Sequence, residues 1–151
     1  MDGSNKFSGL PEVMPTQGWY AAELVEEITI SGDMRNVLHR NLILVCAASP
    51  EEAYAKATEF GLQSEIDYEN PLGQAVSTKF RGIVQLDFMY DEPGDGAEVT
   101  FVELIGVPED EIQTWIPARE HLRAFLPPER SRGPNYTSKE VLDEAKRRFG
   151  S

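Results

Sequence analysis

From Trp19 the chain alternates apolar and polar positions with a period of two: Tyr20, Ala22, Leu24, Ile28 and Ile30 share one face, interrupted by Glu26. That period marks a half-buried strand. Ser31-Gly32-Asp33 supplies turn chemistry, and a second strand is predicted from about Val37 to Ala48. Its distal half, Leu42 to Ala48, is apolar on both faces, which predicts a central strand covered on two sides, or at least a place away from an edge. Ser49-Pro50-Glu51-Glu52 then starts a helix: serine caps, proline suits the first helical position, and Glu52 occupies the capping-box position. Ala53, Ala57 and Phe60 recur at helical spacing beside Gly61, so the helix can lie close against a sheet and should end near Gln63 or Ser64.

Asn70-Pro71-Leu72-Gly73 has the layout of a type I turn. Beyond it, Phe80, Gly82, Val84, Leu86, Phe88 and Tyr90 alternate with Arg81, Ile83, Gln85, Asp87, Met89 and Asp91, the clearest strand pattern in the chain. Asp91 to Gly96 is a turn that leads back into a predicted strand from Ala97 to Ile105. The order β-β-α-β-β predicts an α+β fold, an antiparallel sheet with a helix on one face, followed by a C-terminal helical tail. In that tail Pro117 to Phe125 reads as a short helix, Arg130 to Asn135 as linker, and Val141, Leu142, Ala145 and Phe149 as one face of a final helix opened by Thr137-Ser138-Lys139-Glu140. Residues 1–17, with Gly3, Gly9, Pro11 and Pro15 and little periodicity, read as a loose arm, 18–106 as the domain and 107–151 as an extension.

Several segments in this order resemble a small bacterial family, domain of unknown function 4288. They are Trp19-Tyr20, Leu44-Val45 with Ala48, Glu51-Glu52-Ala53-Tyr54-Ala55-Lys56-Ala57, Tyr68-Glu69-Asn70 with Gly73, Phe80, and Asp95-Gly96-Ala97-Glu98-Val99. The similarity spans residues 18–104. It implies the fold and carries no activity with it.

Charge changes the picture more than composition does. Residues 18–106 hold 16 acids against 5 bases, whereas residues 107–151 hold 8 of each. An acidic body repels nucleic-acid phosphates and anionic lipid and is steered toward basic partners. The longest uncharged apolar run, Leu42 to Ala48, is too short to cross a bilayer. Met1 to Lys6 lack a basic segment followed by an apolar one, and the single cysteine, Cys46, leaves no internal disulfide. Together these point to a cytoplasmic protein.

The candidate chemistry is thin. Glu65, Asp67 and Glu69 alternate like oxygen ligands, but Asn70 stands where a calcium loop turns on glycine, so a solvated acidic loop fits better. Cys46 sits in the most apolar stretch, as a buried structural thiol would. His39 and His121 form no ligand pair, and neither phosphate-cradling glycine loops nor a nucleophile elbow occur. Glu23 with Glu27, or Asp87 with Asp91, could serve as an acid–base pair, but acids at such spacing usually form the wet face of a strand. Trp19, Tyr20, Phe101 and Trp115 are the candidate aromatic contacts, Trp115 being the least suited to a core.

The sequence therefore predicts a non-enzymatic, cofactor-free protein that binds a basic protein and neither nucleic acid nor membrane. The specific form is an acidic inhibitor of immunity or antitoxin type acting on a basic toxin or nuclease. Glu65, Asp67, Glu69, Asp91, Glu92 and Asp95 are its expected contacts, because they lie on connections at the ends of the sheet, with Trp115 as aromatic anchor. The alternative is a small-ligand binder or sponge with a pocket between helix and sheet, opened by Gly61, Gly73 and Gly82; an enzyme using sheet-face acids ranks last. The short apolar stripe of the final helix cannot hold it alone in water, so the tail is expected to dock on its own domain or at a homo-oligomer or partner contact.

Overall fold

The alternation that opens at Trp19 becomes β1, Gly18–Ile30, the hub of a four-stranded sheet. In the computed structural model, which describes residues 17–127, 133–138, 144, 147 and 148, β1 pairs antiparallel with β2, Val37–Ala47, on one side and with β4, Ala75–Met89, on the other. β3, Ile66–Glu69, adds a short antiparallel outer strand to β4, so the order is β2-β1-β4-β3. Between β2 and β3 runs α1, Pro50–Gln63. Its first turn is capped as expected: Ser49 Oγ accepts the Glu52 N–H at 3.1 Å, and Pro50 opens the helix.

The helix lies on one face of the sheet because its inner positions are small. Ala53, Ala57 and Gly61 are buried, and a methyl placed on Gly61 would come within 2.4 Å of the Phe80 ring. These residues close the main core over Tyr20, Ala22, Leu24, Val45 and Ala47, with Ile43, Phe80, Ile83 and Leu86 around them. A second cluster, Ile28, Ile30 and Val76, occupies the other end of the same face. No α1 residue joins it. Tyr136 packs there instead, with its ring edge-on to His39 at 5.1 Å. The Tyr68 hydroxyl donates to the Tyr136 carbonyl, and Asn70 Nδ2 donates to the Asn135 carbonyl at 2.9 Å. The tail thus docks in cis at residues 133–138, while the apolar stripe expected of the final helix lies outside the described residues.

The α+β class and the β-β-α-β-β order stand, and the strand expected at 80–90 is β4, but it is the last strand: the short β3 precedes it, in place of the strand expected at 97–105. The turn Asn70–Gly73, closed by the Gly73 N–H on the Asn70 carbonyl at 2.9 Å with Gly73 at φ 79°, joins β3 to β4. Residues 97–105 form no strand. β4 carries two register shifts against β1, which place Arg81 with Gly82, and Val84 with Gln85, as bulges. Bulges twist and interrupt a ladder, which leaves the outer edge of β4 poorly shaped for another strand. They also break the simple alternation: Phe80, Ile83 and Leu86 face α1, while Gly82 and Val84 face the other way.

β2 departs from expectation as well. It is an edge strand, covered by α1 on one face only, and Leu38, Leu42 and Leu44 are exposed on the other. Cys46, on that outer face, is half-buried, with its thiol 3.4 Å from Gln17 Oε1. After β4 the chain turns at Gly94–Ala97 and leaves the sheet. It forms a short helix α2, Glu109–Trp115, and two single 3-10 turns, Arg119–His121 and Arg123–Phe125. α2 packs on neither the sheet nor α1. Among the described residues, no helix is long and apolar enough to cross a membrane.

Candidate functional site

The six acids picked out by sequence do not converge. Asp67 and Glu69 sit on β3 opposite Ser77 and Ala75, at the start of β4. Glu65 precedes them and is partly spent on structure, since its Oε2 accepts the Phe80 N–H at 2.9 Å. Asp91, Glu92 and Asp95 follow the far end of β4. An extended strand rises about 3.3 Å per residue, so the two triplets stand on the order of 40 Å apart. One small partner footprint does not hold both.

The distal triplet belongs to a larger surface. From Gly82 to Ala118 the chain contains no lysine or arginine. Within it, Asp91 Oδ2 accepts the Glu98 N–H at 3.1 Å, and Asp87 Oδ2 lies 3.4 Å from the Thr100 hydroxyl; these contacts tie the start of the departing chain to β4. The far end is tied by Asn135 and Tyr136 on Asn70 and Tyr68. Residues 91–127 therefore form a strap anchored at both ends, without a base as far as Ala118. Phe101, Val102, Leu104, Ile105, Trp115 and Ile116 are all at least half exposed along it, interleaved with Glu103 and the Glu109-Asp110-Glu111 run. Trp115, at the end of α2, lies 50 % open. Sequence reasoning named Phe101 and Trp115 as candidate aromatic contacts but took Ala97 to Ile105 for a strand. The usable signal was the long stretch without a base.

The sheet-face acids, by contrast, are engaged. Arg40 makes a two-pronged contact with Glu23 at 2.8 and 2.9 Å, and Arg81 meets Glu27 at 2.8 Å. The Glu27 carboxyl is held below the ordinary range chiefly by the Asn36 amide at 2.8 Å; desolvation opposes this, and Arg81 adds to the lowering. Asp33 is lowered likewise by the side chain and N–H of Arg35. None of the six predicted contact acids has an ion-pair partner among the described residues. Nor does any group of three or more His, Cys, Asp or Glu among them have the arrangement to hold a metal ion.

A cleft of about 270 Å³ does lie between α1 and the β1–β2 side of the sheet. Leu24, Ile43, Leu44 and Phe60 form its apolar walls, and Glu26, Asn41 and Ser64 its polar end. The Glu26 carboxylate accepts from Asn41 Nδ2 at 2.9 Å and from the Ser64 hydroxyl. The three glycines expected to open such a space do otherwise. Gly61 is filled by Phe80, Gly73 serves the turn, and Gly82, at φ 146°, serves the bulged stretch of β4.

A family model described as "Domain of unknown function (DUF4288)" matches residues 19–101. No curated protein and no solved structure matches the chain.

Proposed function

The chain belongs to the DUF4288 family, and from that premise we propose that it is a non-enzymatic binding protein whose acidic strap captures a basic protein partner. The observation that carries the reading is the strap itself. Residues 91–116 join acids without ion-pair partners to exposed aromatic and aliphatic side chains, and α2 within them packs against neither the sheet nor α1. Apolar anchors inside a charged rim are the usual anatomy of a protein interface. Six large apolar side chains between Phe101 and Ile116 are at least half exposed, and exposed apolar surface rimmed by charge marks an interaction site.

The acids speed encounter and select positive partners, while Trp115, Phe101 and Ile105 supply the desolvated contact. An inhibitor of immunity or antitoxin type, set against a basic toxin or nuclease, is the specific form this chemistry favours, because the base-free stretch repels nucleic acid and attracts the proteins that bind it. Affinity capture from the native host tests the reading. The wild-type chain should retain a basic protein at low salt and release it as salt rises. A triple variant D91N/E92Q/D95N and the single W115A should each lose it. Equal retention by all three chains at every salt concentration would contradict the proposal.

The cleft beside Glu26 supports a second reading, a binder of small amphipathic molecules with a cationic head. A stoichiometric adduct in the native mass spectrum that disappears in E26Q would favour it over the first.

A further inference from the structure

After Tyr90 the chain turns and comes back beside β4 without joining it as a strand. β3 pairs with β4 only from Ala75 to Thr78, so the outer edge of β4 beyond Thr78 has no strand on it. Between the end of β4 and the returning residues 98–101 lies a cavity of about 330 Å³. Gln85, Asp87, Glu98 and Thr100 contribute its polar lining, and the aromatic residues Phe88, Tyr90 and Phe101 line it as well. Phe88 and Tyr90 meet edge to face at 5.1 Å, and all three aromatic side chains are partly or largely exposed.

The side-chain donors of this lining are already turned on one oxygen. Gln85 Nε2 donates to Asp87 Oδ2 at 2.6 Å, and the Thr100 hydroxyl donates to the same atom at 3.4 Å. Asp87 Oδ1 and both Glu98 carboxylate oxygens accept no hydrogen bond among the described residues, and neither acid has an ion-pair partner there. Asp91 Oδ2 accepts the Glu98 N–H at 3.1 Å, which fixes the Glu98 backbone at the rim. The chain brings no cation of its own: Arg81, the last base before the cavity, is committed to Glu27, and the next base is Arg119. What the cavity offers a ligand is therefore acceptors, negative charge and aromatic surface.

We propose that this cavity is the receptor for a guanidinium group, supplied by an arginine side chain of the basic partner; only the source of the group rests on the strap reading above. An anion would meet two like charges here, and a purely apolar ligand would leave two carboxylates desolvated without partners. Between the two cationic side chains the geometry selects arginine. Two carboxylates on separate segments call for donors spread in a plane, and a guanidinium carries five where an ammonium offers three on one point. A guanidinium also stacks on aromatic rings and gives up its hydration more readily. The cavity adjoins the anchored start of the strap, so an arginine seated in it would place its own protein against Phe101 and the residues that follow. Arginine among aromatic anchors is the usual composition of an interface hot spot.

Titration of the nitrogen-15-labelled full chain with N-acetyl-arginine methylamide at low salt, followed by amide chemical shifts, tests the proposal. Saturable shifts confined to residues 85–90 and 98–101 are expected. The citrulline counterpart, a neutral isostere, should produce none, and the lysine counterpart should bind more weakly. D87N and E98Q should each raise the Kd of the arginine probe about 10-fold, whereas D67N/E69Q, at the far end of β4, should leave it unchanged. E98Q removes no contact of the fold, and melts matched to the wild type check both variants. In affinity capture, D87N/E98Q should weaken retention of the basic protein. Shifts spread over every acidic segment, a citrulline response equal to that of arginine, or an unchanged probe Kd in both single variants would overturn the site. Full retention of the partner by D87N/E98Q would overturn the assignment of the guanidinium to that partner. The two readings fail separately: a saturable probe titration with no captured protein refutes the strap reading alone, and capture without localised probe shifts refutes the cavity alone.

Discussion

Gly61 is the residue on which the approach of helix to sheet depends. Alanine there gains helix propensity of about 1 kcal/mol, but its methyl would lie 2.4 Å from Phe80 Cδ1, and the ring sits against the core rather than in solvent. The clash should win: G61A is expected to lower stability by about 1–2 kcal/mol in urea denaturation, and F80L in the same chain should recover part of the loss. A second residue-scale expectation follows from Glu27 and Asp33. Both carboxyls titrate below their usual values of 4.5 and 3.8, Glu27 chiefly through Asn36 and Asp33 chiefly through Arg35. A carboxyl lowered in the folded state stabilises above its unfolded pKa and loses that contribution as pH falls through the folded one. Melting temperature should therefore hold steady above about pH 5 and fall below about pH 4, and E27Q/D33N should flatten part of that acid limb.

At the scale of elements, the strand β1 and the helix α1 were legible because one period ran through each without interruption. Tyr20, Ala22 and Leu24 do face the helix, and Ser49 does cap it. β4 was legible as a strand and misleading in register, because two bulges a few residues apart turn Val84 outward and Ile83 inward. Nothing in a period-two count registers an inserted residue. β3 was missed because four residues with alternating acids look like a loop; it exists because β4 offers a partner and Asn70 ties the turn, its Oδ1 accepting the Leu72 and Gln74 N–H groups. The acids of the candidate site were visible as charge, but their separation along β4 was not, since distance belongs to the assembled sheet. The docked tail yields its own prediction. Burial, and then Tyr136, pushes the Tyr68 phenol above its usual 10.0. A raised phenol pKa favours the folded state below the unfolded value and loses that contribution as pH rises through the folded one. Residues 133–138 should thus release above about pH 10, and Y136A should release them at neutral pH; limited proteolysis after residue 127 reads both. Unchanged cleavage in Y136A would show that Tyr136 does not hold the tail.

The whole molecule divides its charge by surface: acid–arginine pairs on the open sheet face, exposed acids on α1, and a stretch without bases from Gly82 to Ala118 that carries apolar anchors away from the core. Such a division is costly for a protein that needs only to fold, because exposed Phe101, Ile105 and Trp115 forgo burial worth about 1.5–3 kcal/mol each. It suits a protein that uses them on a partner. The most direct measurement is photo-crosslinking in the native host from a reactive amino acid placed at Val102 on the strap, with the same group at Ala55 on α1 as the comparison. A crosslink from position 102 to one basic protein, absent from position 55 and lost in D91N/E92Q/D95N, is the predicted result. The same background of adducts from both positions, unaffected by the acid replacements, would contradict it.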